Sequence, residues 1–305
     1  MEDYELLLFD RLEMIKTINK QHDLENNAYI GFSGGKDSTI LHYLIDLALP
    51  NNKIPRVFIN TGIEYVDIVK YVKELAKNDE RFIIIPPKQP IKKVLETYGY
   101  PFKSKLHSHF ISIYQNSGLT KFVQEYIKGV RKDGSKSMFA CPNILKYQFT
   151  PNFNIKLNDK CCSKLKKEPF KKWEKENNKT ITLTGMRKQE GGARSKLTCI
   201  ITDKEKNVVK FHPLVVVSEE WETWFITKYN IKLCKLYYPP FNFYRTGCKG
   251  CPFALELQKQ LNTMEELLPN EAKQCEIIWK PVYAEYRRIG YRLDSEKQMT
   301  LDDYL

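Results

Sequence analysis

The sequence predicts an α/β fold, with a doubly wound, mainly parallel sheet and a helical C-terminal region. Three observations lead to this prediction. Short apolar runs recur along the first half of the chain, segments with helical spacing of apolar residues separate them, and a glycine-rich turn joins the first run to the helix after it. Apolar runs that alternate with helices at this spacing are typical of the strands of a parallel sheet.

An N-terminal helix is expected ahead of the sheet. The apolar residues Leu8, Leu12 and Ile15 follow helical spacing there, which indicates one face packed on a core. The first strand is expected at residues 28–32. A helix follows it, because the apolar residues of 39–45 return to helical spacing.

The next two strands repeat the pattern. A strand is expected at residues 56–60, a helix at 66–76 and a third strand at 81–85. In parallel sheets of this kind ligands bind at the carboxyl ends of the strands. Ser33 and Thr61 both fall at such ends.

Weaker patterns follow after residue 90. Mixed polarity over residues 101–158 predicts an insertion that is helical in part, at 121–130. The remaining elements are expected as a helix at 90–100, a strand at 180–184, a hairpin within 197–211, and helices at 219–228, 255–268 and 272–289. These elements divide the chain into an N-terminal helix (1–25), an α/β domain (26–215) and a C-terminal helical region (216–305).

The composition indicates a globular protein with a basic surface. The chain carries 49 Lys and Arg residues against 37 Asp and Glu residues, a formal net charge of +12. This charge suits anionic substrates or nucleic acid, and a solvated basic surface is the alternative. The sequence has no apolar run long enough to span a bilayer, and Met1-Glu2-Asp3 is acidic where a signal peptide is basic. We therefore expect a cytoplasmic protein with no membrane partner.

The turn at residues 33–38 has the sequence Ser-Gly-Gly-Lys-Asp-Ser. Two glycines let backbone N–H groups surround an anion, and the new helix directs its positive N-terminal end at the same place. Lys36 adds a charge for a second phosphate. The turn is not a Walker loop, because three residues separate Gly31 from Gly35 where that motif needs four. The pattern predicts a polyphosphate site, and an ordinary glycine-rich turn is the alternative.

Four of the eight cysteines form two tight pairs, Cys161-Cys162 and Cys248-x-x-Cys251. Thiols in a cytosolic protein stay reduced, so a disulfide set is not expected. Two pairs can supply four thiolates to one metal site. Adjacent cysteines point apart, which favours a [4Fe-4S] cluster, with separate irons for the two thiolates, over zinc. Zinc and redox-active thiols remain as alternatives.

The phosphate-binding turn resembles the PP-loop, Ser-Gly-Gly-x-Asp-Ser, of the ATP pyrophosphatase superfamily, whose members cleave ATP between the α- and β-phosphates. The Cys-Cys pair followed by Cys-x-x-Cys resembles the cluster motif of adenylylsulfate reductases in the phosphoadenosine phosphosulfate (PAPS) reductase family, a branch of that superfamily. This resemblance implies a Rossmann-like nucleotide-binding domain over residues 26–215. It also implies that Cys161, Cys162, Cys248 and Cys251 ligate the cluster.

Two further motifs extend the resemblance. Residues 58–64, Phe-Ile-Asn-Thr-Gly-Ile-Glu, are similar to the family's second-strand motif, with Asn60 where Asp is usual. Residues 185–187, Gly-Met-Arg, followed by Glu190 and Arg194, resemble its Gly-x-Arg substrate-binding motif.

The resemblance implies roles for single residues. Catalytic roles fall to Lys36, Asp37 and Arg187, with Arg187 facing the α-phosphate or sulfate. Asp37 is expected either to help hold Mg²⁺ or only to stabilise the helix N-terminus. The adenine nucleotide is expected to contact Ser33, Gly34, Gly35, Lys36, Asp37, Ser38, Thr61, Gly62, Arg187 and Arg194.

Two departures from the reductase pattern favour ATP as substrate. Sulfonucleotide reductases usually carry a degenerate phosphate loop, whereas this loop is intact, and residues 300–305 hold no counterpart of their C-terminal nucleophilic cysteine. The resemblance therefore implies an ATP pyrophosphatase that adenylates an acceptor, which nucleic acid would suit, with a sulfur or electron donor protein as partner. The alternatives are an adenylylsulfate or PAPS reductase, with Cys275 or a partner supplying the thiol, and a non-catalytic nucleotide and cluster sensor.

Overall fold

A computed structural model describes residues 3–295 and contains a six-stranded sheet. Its strands are β1 (Ala28–Gly31), β2 (Arg56–Ile59), β3 (Phe82–Ile85), β4 (Ile181–Leu183), β5 (Ile200–Thr202) and β6 (Val208–Phe211). They lie in the order β3-β2-β1-β4-β6-β5. Every neighbouring pair is parallel except β5 and β6, which pair antiparallel. The predicted fold class, a doubly wound and mainly parallel α/β sheet, is confirmed.

Helices connect the strands and form most of the rest. They are α1 (Asp3–His22), α2 (Leu24–Asn27), α3 (Lys36–Ala48), α4 (Val66–Asn78), α5 (Ile91–Tyr98), α6 (Lys105–Ser117), α7 (Lys121–Lys128), α8 (Glu168–Glu176), α9 (Glu219–Lys228), α10 (Leu257–Leu267) and α11 (Pro269–Arg288). Turns of 3-10 helix span Asn143–Phe149, Lys188–Glu190, Gly192–Lys196 and Lys235–Tyr237, and a π-helical turn spans Ser163–Lys167. The strands expected at 28–32, 56–60, 81–85 and 180–184 are each present within one residue of their predicted bounds.

The described chain forms two compact units. The first comprises the residues up to Lys88 together with Glu168–Gly247, and it contains the whole sheet. The second comprises Gln89–Lys167 together with the residues from Cys248 to the end of the described chain. The domain boundaries expected near residues 25 and 215 stay a prediction, and residues 1–2 and 296–305 of those regions lie outside the described residues.

The core of the first unit fixes the turn between β1 and α3. Ile30 of β1, Ile40 and Leu44 of α3, and Trp221 and Phe225 of α9 are fully buried in one apolar cluster. Burying a large apolar side chain contributes about 1.5–3 kcal/mol of stability. The two ends of the turn are thus held in the core of this unit, and the turn itself lies at the carboxyl edge of the sheet.

The second unit is helical. Helix α6 packs on α7, and α10 packs on α11. The rings of Phe102 and Tyr286 lie 4.5 Å apart between centroids, so that the two chain segments of this unit share one core. The Tyr286 hydroxyl accepts a hydrogen bond from the Lys103 N–H at 2.7 Å and donates one to the Pro252 carbonyl at 2.8 Å.

Among residues 3–295, no helix combines the length and the apolar character that a membrane-spanning segment needs. The cytoplasmic location stays a prediction.

Candidate functional site

The phosphate loop, residues 33–38, leaves the carboxyl end of β1 and becomes the first turn of α3. Strand β1 lies between β2 and β4, where the strand order reverses direction. Such a switch point opens a crevice at the carboxyl edge of a parallel sheet. The loop therefore occupies the position at which this architecture binds ligands.

Hydroxyl groups hold the loop in shape. The Ser38 hydroxyl donates to the Gly35 carbonyl at 2.9 Å and accepts from the Ser33 N–H at 3.2 Å. The Ser33 hydroxyl accepts from the Gly35 N–H at 3.3 Å and lies 3.0 Å from the Ser38 hydroxyl. The two serines of the motif thus preorganise the loop as well as offering hydroxyls to a ligand.

Two glycines permit close packing around the loop. Gly34 has a φ of +72°, and a Cβ on it would lie 2.8 Å from Ile68 Cγ2. Gly185 passes directly against α3, where a Cβ would lie 2.6 Å from the Asp37 carbonyl oxygen. The glycine of the Gly-Met-Arg motif is therefore required because the chain that carries Arg187 runs against the backbone of the phosphate loop.

The predicted catalytic residues come together at a buried carboxylate. Lys36 Nζ lies 3.2 Å from Glu222 Oε2, and Arg187 Nε lies 3.1 Å from Glu222 Oε1. The same Arg187 Nε also lies 3.3 Å from Asp37 Oδ1. Glu219 is a second partner of Lys36, at 3.3 Å. The cations of Lys36 and Arg187 and the carboxyl groups of Asp37, Glu219 and Glu222 thus form one cluster at the N-terminus of α3.

Glu222 carries the most perturbed carboxyl group of this cluster. Burial raises the pKa of Glu222 to about 8, Asp37 raises it as well, and the cations of Arg187 and Lys36 work in the opposite direction. Both of its oxygens are engaged, one by Lys36 at 3.2 Å and the other by Arg187 at 3.1 Å.

The charge of Lys36 is stabilised by its surroundings. Burial disfavours the ammonium, but the carboxylates of Glu222, Glu219 and Asp37 outweigh that effect and raise the pKa of Lys36. The side chain is mostly buried. A permanent cation therefore stands at the mouth of the phosphate loop.

Glu222 was missed by sequence reasoning, although the sequence carries a signal for it. The residue lies on α9 between Trp221 and Phe225, and all three are buried. A charged residue on the apolar face of a helix is seldom fully buried unless it is paired. Its partners on α3 and near β4 are distant in sequence, so the pattern alone does not name them.

Tyr237 is a second residue that the sequence did not point to. Its hydroxyl accepts a hydrogen bond from the Lys36 backbone N–H at 3.0 Å and lies 2.6 Å from the Thr246 hydroxyl. Burial raises the pKa of Tyr237 to about 12, so the group stays protonated. The tyrosine oxygen therefore accepts from a backbone N–H that a phosphate oxygen would otherwise use.

The other predicted nucleotide residues contact partners outside this cluster. Thr61 is buried after β2, and its N–H and hydroxyl both donate to Glu64 at 2.8 Å. Gly62 follows with a φ of +80° and open space around it. Arg194 pairs with Glu190, which also pairs with Arg245. The nucleotide contacts of Thr61, Gly62 and Arg194 stay predictions.

The four paired cysteines lie in the second unit and share one electrostatic environment. Burial raises the pKa of Cys161 far above its ordinary value, and the thiols of Cys162, Cys248 and Cys251 raise it further. Burial also raises the pKa of Cys251 to about 12, with Cys248 and Cys162 adding to the effect. Lys166 acts in the opposite direction on both groups.

Four thiols that influence one another's ionisation form a donor set of the kind that both iron–sulfur clusters and zinc use. Within residues 3–295, no group of three or more His, Cys, Asp or Glu side chains is arranged to hold one metal ion. The [4Fe-4S] cluster on these cysteines stays a prediction.

Side chains of helix α11 hold the Cys-x-x-Cys loop by donating hydrogen bonds to the carbonyl groups of the loop. Trp279 Nε1 donates to the Lys249 carbonyl at 3.2 Å, and the Tyr283 hydroxyl donates to the Gly250 carbonyl at 2.5 Å. The Lys249 ammonium, which is buried, contacts Glu271 Oε2 at 3.0 Å on the same helix. The loop geometry is therefore set before any ligand binds.

Comparisons with known proteins place the chain in a family. The sequence matches the family model of the phosphoadenosine phosphosulfate reductase domain over residues 27–148 and 143–254. An uncharacterized protein of Methanocaldococcus jannaschii is 27% identical over 145 residues, 45% of this chain and 34% of that protein. The chain thus spans about a third of the length of the curated relative that it matches.

Two solved structures are similar at lower identity. The PAPS reductase from Candida auris, in a phosphate complex, is 15% identical, with 81% of this chain and 95% of that chain covered and a TM-score of 0.45. The U34-tRNA thiolase NcsA from Methanococcus maripaludis, with its [4Fe-4S] cluster, is 14% identical, with 91% and 79% covered and a TM-score of 0.38. Neither likeness is close enough to assign a substrate. Because the family match extends over most of the chain and includes the phosphate loop and both cysteine pairs, this protein belongs to the phosphoadenosine phosphosulfate reductase domain family.

Proposed function

We propose that this protein is an ATP pyrophosphatase that adenylates an acceptor for sulfur transfer and carries a [4Fe-4S] cluster. One observation supports the proposal above all. The intact phosphate loop faces a site in which Lys36 and Arg187 are held together by one buried carboxylate, Glu222. Two cations at a helix N-terminus suit a ligand with several phosphates better than one with a single sulfate or phosphate group.

The reaction assigns separate tasks to these residues. A nucleophilic atom of the acceptor attacks the α-phosphorus of ATP, the bond between that phosphorus and the bridging oxygen to the β-phosphorus breaks, and pyrophosphate leaves. Loop amides and the Lys36 ammonium hold the leaving phosphates, where negative charge develops. The planar guanidinium of Arg187 binds the α-phosphate oxygens. A sulfur donor protein then displaces AMP from the adenylated acceptor.

Asp37 and Glu222 fit a Mg²⁺ site in the same place. When phosphates take over Lys36 and Arg187, the two carboxylates lose the cations that neutralise them. Mg²⁺ is commonly held by one or two carboxylates together with substrate phosphates. Asp37 and Glu222 both contact Arg187 Nε, at 3.3 and 3.1 Å, and their closeness to one cationic group supports this assignment.

The cluster belongs on Cys161, Cys162, Cys248 and Cys251. When bound, it supplies a redox centre and a place to deliver sulfur. Lys166 offsets the negative charge of four thiolates.

A sulfonucleotide reductase is the second candidate, because the family match is to a reductase domain. A reductase needs a nucleophilic thiol, and Cys275 is the residue of this chain that could supply it. It is fully buried, and burial raises the pKa of Cys275 to about 12. A buried thiol that stays protonated is a poor nucleophile, which favours the ATP reaction or a thiol from a partner.

Ligand preference separates the two candidates. Cluster-loaded protein is titrated anaerobically, with Mg²⁺, against a non-hydrolysable ATP analogue, adenylylsulfate and PAPS. We expect the ATP analogue to bind most tightly, and Lys36→Ala to weaken it strongly while Lys73→Ala, an exposed lysine of α4, leaves it unchanged. Preference for a sulfonucleotide would replace the proposal with the reductase.

A further inference from the structure

An unusual surface covers α7 and the hairpin that follows it, residues 119–139, here named the α7–hairpin face. Four large apolar side chains are mostly exposed on it: Leu119 at 55%, Phe122 at 69%, Met138 at 77% and Phe139 at 59%. Monomeric proteins seldom expose so many large apolar groups in so short a segment. The phosphate loop and the cysteine pairs lie outside this segment, so the proposed chemistry does not explain it.

The fold brings residues 137–141 back to the C-terminal half of α7. Helix α7 buries Val123 and Tyr126, which leaves the side of Lys121 and Phe122 exposed. The chain then reverses, and the Cys141 N–H donates to the Tyr126 carbonyl at 2.8 Å. The Ser137 N–H donates to the Gly129 carbonyl at 2.8 Å. Residues 138 and 139 are therefore fixed between two anchored points beside the C-terminal half of α7.

The tip of the hairpin is closed by its own hydrogen bonds. Val130 and Lys136 form an antiparallel bridge, and the Arg131 N–H donates to the Ser135 carbonyl at 2.8 Å. Asp133 Oδ1 accepts from the Ser135 N–H at 2.9 Å and from the Ser135 hydroxyl at 2.6 Å. The Asp133 carboxylate thus accepts hydrogen bonds within the turn, and the neighbouring Arg131, Lys132 and Lys136 lie on a hydrogen-bonded backbone.

The charge of this face selects the chemistry of its partner. The segment 119–139 contains two carboxylates, Glu125 and Asp133, against five exposed basic residues. The basic residues are Lys121, Lys128, Arg131, Lys132 and Lys136. Each exposed phenylalanine has a lysine within three residues along the chain. A polyanion with flat apolar groups between its charges is complementary to this arrangement.

We propose that the α7–hairpin face binds a single-stranded segment of nucleic acid. Phe122 and Phe139 stack on unpaired bases, and the surrounding cations contact phosphates, as is general for proteins that bind single strands. The inference rests on the proposed function only where it identifies this nucleic acid as the acceptor. Binding itself needs neither ATP nor turnover.

An anionic lipid surface is less suited to this face. An element that inserts into lipid keeps its cations at the rim of one apolar face. Here a lysine lies within three residues of each exposed phenylalanine, so insertion of Phe122 and Phe139 would also desolvate these lysines.

Fluorescence anisotropy tests the inference on the full chain without nucleotide. The probes are labelled single-stranded RNA and DNA oligonucleotides of mixed sequence, measured over a range of salt concentrations. We expect Phe122→Ser combined with Phe139→Ser to raise the Kd about tenfold or more. Log K falls as log salt rises, and Lys132→Gln combined with Lys136→Gln makes this fall less steep, by about 0.7 for each phosphate that the variant no longer neutralises.

Matched controls come from α11 of the same unit. Ile277→Ser removes an exposed apolar group, and Lys273→Gln combined with Lys280→Gln removes two exposed charges. Both controls keep wild-type affinity if the face is the binding surface. Equal losses of affinity in the controls and in the face variants would show that binding depends only on the general basic charge of the protein, and this would overturn the proposal.

Two other results also overturn it. One is the absence of oligonucleotide binding at low salt, and the other is tighter binding to phosphatidylserine vesicles than to either oligonucleotide. Because the ATP analogue titration is independent of this assay, loss of nucleotide binding with intact oligonucleotide binding would refute the proposed function alone.

Discussion

Gly185 provides a direct test of how the substrate-binding motif meets the phosphate loop. A Cβ at this position would lie 2.6 Å from the Asp37 carbonyl oxygen and 2.8 Å from the Asp37 carbonyl carbon. These are backbone atoms of the first turn of α3, which cannot rotate away as a side chain would. Gly185→Ala must therefore displace α3 or the strand end that carries Arg187.

The size of the effect follows from a comparison with Gly31→Ala. A Cβ on Gly31 meets nothing closer than 3.8 Å, which is ordinary van der Waals contact. Both substitutions remove the same backbone freedom from the unfolded chain, worth about 0.4–1 kcal/mol, so that contribution cancels between them. The remaining difference is the steric cost of overpacking, about 1–3 kcal/mol.

Urea unfolding of the two variants measures this difference, with equal m-values required for the comparison. Titration with the ATP analogue is the second readout. We expect Gly185→Ala to be the less stable variant by about 1–3 kcal/mol and to bind the analogue about tenfold more weakly, a change of about 1.4 kcal/mol. Equal stability and equal affinity in the two variants would show that the motif does not press on the phosphate loop, and the reasoning would fail.

Three further predictions concern other parts of the molecule. Gly250→Ala adds a Cβ 2.8 Å from Cys275 Sγ at a φ of +58°, whereas the control Gly118→Ala has a similar φ but open space around its Cβ. We expect the Gly250→Ala protein to retain less iron and sulfide after anaerobic reconstitution than the control, and equal retention would contradict a rigid Cys-x-x-Cys loop. Tyr237→Phe frees the Lys36 N–H in the ligand-free state, and we expect the ATP analogue to bind about 2- to 10-fold more tightly, whereas weaker binding would make the hydroxyl a ligand contact. Burial lowers the pKa of His107 to about 4, so the unfolded chain binds more protons than the folded protein between about pH 6.5 and 4, and the free energy of unfolding falls as the pH drops through this window. We expect this free energy to depend less steeply on pH in His107→Gln. An unchanged slope would assign the acid sensitivity to other groups.

Local patterns determined much of this protein. Strands β1 to β4 and the loop at 33–38 were predicted within one residue, because short apolar runs and glycine-rich turns are encoded by neighbouring residues. The cysteine pairs were visible for the same reason. The segment 101–158 was harder to predict, since its helices bury few apolar residues each and complete their core with residues from beyond Cys248, such as Tyr286.

Only the tertiary structure revealed what surrounds the phosphate loop. Glu219 reaches Lys36 across 183 positions of sequence, and Tyr237 reaches the same residue across 201. Glu222 could be recognised as a charge on an apolar helix face, but not as the partner of Lys36 and Arg187. Periodicity encodes which face of an element is buried. Which side chains from distant elements meet depends on how the whole chain closes around its core.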